Sequence, residues 1–504
     1  MKRRMLVIIL CIFMICNTLA VYADEGEMGP FGGITEGTNL PTMMEYNFTT
    51  NSTSTTKAIP FNEYKEIIFI GGTPVEVSGT MKLTKGDSKV RTSQNGTYTE
   101  KYLISAKSKD GTVLLNRTLD LIVSYENNGT VIKRDGKKSK WEETITVNGI
   151  TYTLNQLESN FYKTSTENIK PGVSYYQTTT TYVAIYYNGT NKLEVKGDGE
   201  VYGYKQPWSK LETQKLTLHI NNQESTKPWQ MTVVVKPTLN AEKSIYFQKT
   251  SPSAISFDGT YNQRLEREAT IKYEIQTDHP NLDEDLLVGG ISNKPLSPIE
   301  SLGVIPAGLD FLIGHWAEGD VRQLYSLGIM TETPSRNMLY QLTTRGEFVK
   351  QLCLGLKIDV DAYDDLKGTK PQIFRDVDYK NPYYKYVMAA YQTGISVGVG
   401  KENKFGVDNP ITRQEAFALL VRTIGLERLG IGSAPRTPFI DDSKIDSWAR
   451  KEIAAAYMLN IVAGNEKNEL KPKANIGKME TAAIINRMLR YLRSDIATDY
   501  INME

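Results

Sequence analysis

A tetrapeptide that returns at a nearly fixed distance constrains this chain more than its composition does. Thr344-Arg345-Gly346-Glu347 recurs as Thr412-Arg413-Gln414-Glu415 and, altered, as Gly477-Lys478-Met479-Glu480, with 68 and 65 residues between the first positions. Apolar residues fall in the same places around each copy, and a period near 66 marks an internal repeat of one supersecondary unit. Each copy opens on a short helical pattern, Val321/Leu324/Tyr325, Val387/Ala390/Tyr391 and Ile453/Ala456/Tyr457, spaced i, i+3, i+4. Three residues after the aligned tyrosine stands Gly328, Gly394 or Asn460, residue types that take the left-handed conformation and stop a helix. The tetrapeptide then starts a second helix. Thr344 and Thr412 precede Glu347 and Glu415 by three, the spacing of a capping box, and Glu480 keeps the acid in the third copy. The inner face of that helix repeats as Val349/Leu352/Cys353/Leu356, Phe417/Leu420/Val421/Ile424 and Ala482/Ile485/Asn486/Leu489, with Asn486 the one polar intruder. A two-helix unit is too small to bury its own face, so the three are expected to pack on one another.

Upstream the pattern is different. From 58 to 276, β-branched and aromatic runs such as Leu119 to Tyr125, Thr178 to Tyr187 and Met231 to Val235 alternate with turn residues. Eight Asn-Gly or Asp-Gly pairs, at Asn95, Asp110, Asn128, Asp135, Asn148, Asn188, Asp198 and Asp258, tolerate the positive φ that two-residue hairpins demand. This predicts an antiparallel, all-β, sandwich-like region of one large or two smaller domains, with a candidate division at Lys170-Pro171-Gly172. Residues 24–57, rich in Gly, Thr, Ser and Asn, read as a loose leader with an edge strand as its one structural option. Residues 277–308, where four prolines gather among polar residues, read as a linker. The helical copies are then bounded as 309–368, 369–433 and 434–493, with a tail at 494–504.

The first residues have the form of an export signal spanning 1–23. Lys2, Arg3 and Arg4 precede an apolar run from Met5 to Cys16, and Val21-Tyr22-Ala23 suits a signal peptidase. The run is short for a membrane span, which needs roughly 20 residues. Removing it takes Cys11 and Cys16 and leaves only Cys353, at a repeated apolar position, so no internal disulfide is expected and Cys353 reads as a buried structural thiol. A net charge of +1 gives no support to nucleic-acid or anionic-membrane binding through bulk electrostatics. An anionic partner would have to be held by a few placed cations.

Residues 309–493 resemble three consecutive S-layer homology repeats. The likeness is carried by His315-Trp316-Ala317 in the first copy, Phe374-Arg375-Asp376-Val377 opening the second, and Phe439-Ile440-Asp441 with Trp448-Ala449 in the third. The stretch Asn409-Pro410-Ile411-Thr412-Arg413-Gln414-Glu415-Ala416-Phe417 resembles the family most closely. The resemblance implies an all-α, pseudo-threefold module that holds exported proteins on the surface of a Gram-positive-type bacterium. Its grooves would bind secondary cell-wall polysaccharide associated with peptidoglycan and capped by a pyruvylated sugar. Self-assembly into a surface layer is a further implication.

Why the tetrapeptide suits such a ligand can be argued from the residues. A helix start offers unpaired N–H groups and a positive dipole end, and an arginine at the first helical position can grip a carboxylate twice. Arg345 and Arg413 are so placed. Lys478 lacks the fork, and Gly477 the cap, so a weaker third site is expected. Thr344, Glu347, Thr412, Glu415 and Glu480 are assigned to capping, Asp376 and Asp441 to the ligand as the acidic position of each opening. Trp316 and Trp448, five residues before Val321 and Ile453, are read either as packing between helices or as sugar-stacking platforms.

Catalysis has little to draw on. The three histidines, His219, His279 and His315, stand in no metal or triad motif, and no phosphate-binding glycine loop, paired-cysteine site or calcium loop appears. A glycosidase needs only two carboxylates, and no pair is singled out. The expectation is therefore a chain that is not an enzyme and carries no cofactor or metal, anchored by its helical repeats and displaying the β region as a structural or adhesive element. The alternative is an anchored carbohydrate-active enzyme with its site in the β region.

Overall fold

The structure, a computed structural model, describes residues 28–35, 57–87, 89–91, 93–224, 227–249, 259–279, 282–358, 360–363, 372–399, 403–430 and 435–502. The expected export signal lies outside them. The β region forms one sheet of β1 (Ile34–Thr35), β2 (Lys57–Ile68), β3 (Val75–Lys85), β4 (Asn95–Lys107), β5 (Val113–Asn127), β6 (Val131–Val147), β7 (Ile150–Leu154), β8 (Asn160–Ile169), β9 (Ser174–Asn188), β10 (Asn191–Lys205), β11 (Ser209–Asn222), β12 (Trp229–Gln248), β13 (Thr260–Thr277), β14 (Val288–Asn293) and β15 (Ile299–Ser301). Nearly every strand pairs with its sequence neighbours, always antiparallel; β7 and β8 both sit between β6 and β9, and β15 joins β13 beside β14.

Period-two alternation decides which side chains enter the sandwich-like core. In β5, Val113, Leu115, Leu119, Leu121, Val123 and Tyr125 point inward while Leu114, Asn116 and Ser124 face out. The core also takes charge. Arg117, inward on β5, bridges Glu66 of β2 at 2.8 Å and Glu143 of β6 at 2.7 Å. Another buried carboxylate, Glu100, faces Lys163 at 3.2 Å and Lys85 at 3.8 Å.

Three expectations need correcting. Residues 28–35, within the supposed loose leader, are buried throughout, because Phe31 packs on Trp141, Phe161 and Tyr182 and β1 pairs with β2. The supposed linker carries β14 and β15, whose backbone bonds complete the edge of β13 despite the nearby prolines. No division occurs at Lys170-Pro171-Gly172, since β8 and β9 on either side of it are paired along their length.

The helical module contains α1 (Glu318–Ser326), α2 (Arg345–Gly355), α3 (Tyr384–Gln392), α4 (Arg413–Ile424), α5 (Arg450–Met458), α6 (Lys478–Arg490) and α7 (Ile496–Asn502). Each motif-bearing helix packs on the opening helix of the next copy: α2 on α3, α4 on α5, and α6 back on α1. Gly328, Gly394 and Asn460 take positive φ, as the stop signals require. Asn486 is explained by the closing contact, where it bonds Asp320 at 2.7 Å and Gln323 at 2.9 Å on α1.

The β region sits on the C-terminal ends of the three motif helices. The last carbonyls of α2 and α4 have no partner within the helix, and the β region supplies donors to both, and to the turn that continues α6. Trp208 Nε1 donates to Gly355 O of α2 at 2.7 Å, and Gly172 N and Tyr175 Oη donate to Thr423 O and Ile424 O of α4 at 2.8 and 3.2 Å. Past α6 the chain widens into a π turn at Tyr491–Asp495, and Leu492 O there accepts Ser209 Oγ at 2.6 Å as well as Gln206 Nε2. The tail follows as α7, where Tyr500 stacks on Tyr175 and meets Tyr204 edge-on. One apolar core runs through Val173, Tyr204, Trp208 and Leu211 into the helices.

Candidate functional site

The opposite ends of α2, α4 and α6 carry the repeated tetrapeptide and meet around a centre closed by backbone bonds. Ile411 N donates to Thr343 O, Thr343 N to Ile476 O, and Ile476 N to Ile411 O, at 3.0, 2.9 and 3.0 Å. The residue before each cap thus binds its counterpart in another copy, and the three copies form a ring.

Charge follows the same ring. Arg345 Nη1 lies 3.3 Å from Glu415, Arg413 Nη1 2.5 Å from Glu480, and Lys478 Nζ 2.9 Å from Glu347. The cation of each copy therefore holds the capping acid of the next. Arg345 also donates to Ser396 Oγ at 3.1 Å and lies over the Phe405 ring, and Arg413 Nε donates to Leu470 O at 2.7 Å. Burial works against the charge on Arg345 and Glu415 works for it. Lys478 has a second acid, Glu332, at 3.3 Å; burial alone would lower its pKa, but Glu347 and Glu332 hold it above the ordinary lysine value.

The caps are asymmetric. Around Thr344 both halves of the box form: Glu347 N donates to Thr344 Oγ1 and Thr344 N to Glu347 Oε2. In the second copy Thr412 N and Thr412 Oγ1 both donate to Glu415. Gly477 has no side chain to contribute, and only its N–H reaches Glu480, at 3.4 Å.

The helix-start amides are not available as the sequence argument requires. Arg345 N and Gly346 N donate to Asn409 O and Val407 O, Arg413 N and Gln414 N to Ala474 O and Pro472 O, and Lys478 N to Gln341 O. Because the copies interlock, a carbonyl from the neighbouring copy fills the place an anion would take. Asp376 is also turned inward, accepting the amides of Phe405, Gly406 and Val407, and Asp441 accepts Leu470 and Lys471. Partial burial of Asp376 opposes ionisation, yet these amides hold its carboxyl below the usual range. In this geometry both aspartates fasten the loop before the next tetrapeptide.

Trp316 and Trp448 stand outward, 63% and 46% exposed. Beside Trp448 lies a polar set that the sequence reading did not assign. Gln414 Nε2 donates to Asp446 at 2.7 Å, Lys473 pairs with the same carboxylate, and the Arg422 guanidinium, paired with Glu452, sits 5.9 Å from the Trp448 ring. Its one sequence signal is the variable third position of the tetrapeptide. Gly346 stands there in the first copy because a Cβ would fall 2.8 Å from the Tyr383 ring, whereas Gln414 extends a side chain. Cys353 is fully buried, and burial pushes its thiol up to about 12. Among the described residues no three His, Cys, Asp or Glu side chains converge as metal ligands, and no helix is long and apolar enough to cross a membrane.

A closed ring of helix pairs with interlocked, capped starts defines a pseudo-threefold repeat module. Residues 373–417 and 438–482 match the S-layer homology domain, and the helical module carries these domains. The first copy is joined to them by its capping box, its cation-to-acid link and its place in the central ring. The chain is 32% identical over 185 residues to an amylopullulanase of Thermoanaerobacterium thermosulfurigenes, a match covering 35% of this chain and 9% of that protein. It is 31% identical over 185 residues to the exoglucanase XynX of Acetivibrio thermocellus, covering 35% and 16%. With the S-layer protein EA1 of Bacillus anthracis it shares 25% identity over 222 residues, covering 43% and 23%. The chain thus spans under a quarter of the length of each of these relatives. Together they indicate a cell-surface protein. The expectation that the chain is not an enzyme is overturned, since two of these relatives are enzymes by name. Their likeness covers the S-layer homology region rather than a catalytic one.

Proposed function

We propose that the helical module holds this protein to an anionic polysaccharide of the bacterial wall and presents the β region on the side away from it. The ligand is a secondary cell-wall polymer associated with peptidoglycan in a Gram-positive-type envelope, recognised through a pyruvyl carboxylate. The observation that carries this is polarity. The repeated starts of α2, α4 and α6 gather at one end of the module, while the β region bonds to the other ends of α2 and α4 and to the turn that follows α6. With the amides already engaged, recognition falls to side chains. Trp316 and Trp448 offer stacking faces, and Arg345, Arg413 and Lys478 exchange a neighbouring glutamate for the sugar's carboxylate. Arginine does this with two parallel bonds and lysine with one charge, so the groove served by Lys478 is the weakest.

The full chain should co-sediment with wall sacculi and fail to do so with sacculi stripped of their secondary polymer; equal binding to both would remove the polysaccharide. Trp448→Ala alters a half-exposed side chain and should weaken sedimentation at least tenfold, with only a small fall in melting temperature from the lost contacts to Asp446 and Arg422. Arg413→Ala should weaken it too, with some loss of stability because Leu470 O and Glu480 lose their partner.

The enzyme names among the relatives favour a second reading, a carbohydrate-active β region on the same anchor. A hollow of about 410 Å³ on the outer face of β3 to β6, lined by Thr80, Lys82, Ser105, Asn116, Thr118 and Glu142, offers it hydroxyl, amide and carboxylate groups. Reducing ends released from a glycan panel by the full chain, and lost in Glu142→Gln, would establish it. Release unchanged in that variant would place the chemistry elsewhere.

A further inference from the structure

The segment 28–35 fills the β region's interior while adding only the two-residue β1 to the run of strands. All eight residues are buried, yet the backbone pairing of β1 is limited to Ile34 opposite Lys65 and Thr35 opposite Tyr64. The rest is held by shape. Phe31 sits with its ring 3.9 Å from the Arg117 guanidinium and 5.0 to 5.5 Å from the rings of Tyr182, Trp141 and Phe161. Gly29 and Gly33 lie where any side chain would strike Tyr64, and Gly32, at φ +84, lies against Leu216 and Val235. Met28 N donates to the buried Glu212. The cleft therefore reads a short, glycine-rich turn, closed by Gly29 N to Gly33 O at 2.9 Å and Gly32 N to Gly29 O at 3.2 Å, with one aromatic anchor.

We propose that this cleft is an exchangeable binding site, and that residues 28–35 of a second copy of this chain fill it when copies are crowded on a surface. One observation and one general argument support exchange. First, 21 residues separate Thr35 from Lys57. The part of β2 that runs from Lys57 to Tyr64 covers only about 23 Å at ~3.3 Å per residue, whereas such a connection reaches up to about 70 Å. Second, a segment from a neighbour makes the same contacts as the chain's own, so the balance is set by concentration alone. A connection of this many residues offers its segment at an effective concentration in the millimolar range, which dense anchoring would match. The crowding rests on the wall-anchored reading; the cleft and its exchange do not.

The test uses a fluorescein-labelled peptide of residues 24–40 with full-length protein. Phe31→Ala in the chain weakens its own segment and should raise affinity for the peptide at least tenfold over the unaltered chain. The peptide carrying the same change, or a scrambled one, should not bind. A second chain lacking residues 38–54 keeps four connecting residues, too few for the ~23 Å along β2. It should run as dimers and longer species in light scattering and return to monomer on adding the peptide. Peptide binding that ignores Phe31 would overturn the proposal. So would a shortened chain that stays monomeric with unchanged melting, or oligomers that the peptide does not dissolve. Sacculus binding is scored separately, so loss of the anchoring claim leaves these solution results standing.

Discussion

Trp208 is the point at which the coupling of β region and helical module can be tested. Its side chain is 1% exposed, its Nε1 donates to Gly355 O at 2.7 Å, and Lys357 Nζ lies 4.6 Å from its ring. Truncating a buried tryptophan costs about 3 to 5 kcal/mol in lost packing and residual cavity. Part of that is the helix-end carbonyl of Gly355 left without a partner, about 1 to 3 kcal/mol. Trp208→Ala should therefore destabilise the joint by about 4 kcal/mol, and Trp208→Phe, which keeps most of the packing, by about 1 to 2 kcal/mol. For a unit of the module's size each kcal/mol is about 2 to 4 °C in melting temperature, so the alanine variant should lose about 8 to 16 °C. Scanning calorimetry should also show one transition becoming two as β region and helices melt apart. A Trp208→Ala protein that melts within 2 °C of the unaltered chain, still in one step, would refute the claim that the β region is the C-terminal cap of the helices.

Three further outcomes are expected. Burial alone would raise the Glu100 carboxyl, but Lys163 and Lys85 bring it down to about 2. The stability it contributes is thus complete above the unfolded value near 4.5 and is lost as pH falls through 2, about 3 kcal/mol in all. Glu100→Gln should flatten the fall in urea midpoint over that interval. Asp376→Ala strips the amides of Phe405, Gly406 and Val407 of their acceptor and should cost about 2 to 4 kcal/mol, with Asp376→Asn costing less, both measured by denaturant unfolding. Cys353 should stay unlabelled by a disulfide reagent at pH 8 in the native protein and react at once in denaturant; native labelling at the unfolded rate would contradict its burial.

The repeats were legible because each local signal agreed with the packing. The i, i+3, i+4 faces, the stop residues Gly328, Gly394 and Asn460, and the spacing of Thr344 and Glu347 describe short-range geometry that sequence records directly. The hairpin signals were read with mixed success. Asp110-Gly111, Asn128-Gly129 and Asn148-Gly149 do fall between strands and Asn188-Gly189 falls where β9 ends, but Asn95-Gly96, Asp135-Gly136 and Asp198-Gly199 lie inside β4, β6 and β10. There glycine answers to a cross-strand neighbour, as at Gly96, where a Cβ would meet the Tyr125 ring, and sequence spacing does not report that. The leader was misjudged for the same reason, since Gly29, Gly32 and Gly33 mark close approach to Tyr64, Leu216 and Val235. At the motif face, residue types pointed to charge at a helix start. They could not reveal that Arg345 would face Glu415, or that Asn409 and Val407 carbonyls would occupy the first-turn amides. Those partners are set by the docking of copies that stand about 66 residues apart in the chain.

The bonds from Thr343 to Ile476 and from Lys478 to Gln341 and Glu347 join the first copy to the last. A linear stack of repeats has two outer faces and frays from them; a circle has neither. Damage at any one junction, such as the one served by Gly477 and Lys478, is therefore shared at once by the copies on both sides of it. Such a circle tends toward two conditions, shut or open. A surface anchor of this build should let go abruptly rather than loosen by degrees, with the strength of its poorest link setting the temperature at which the whole protein is shed.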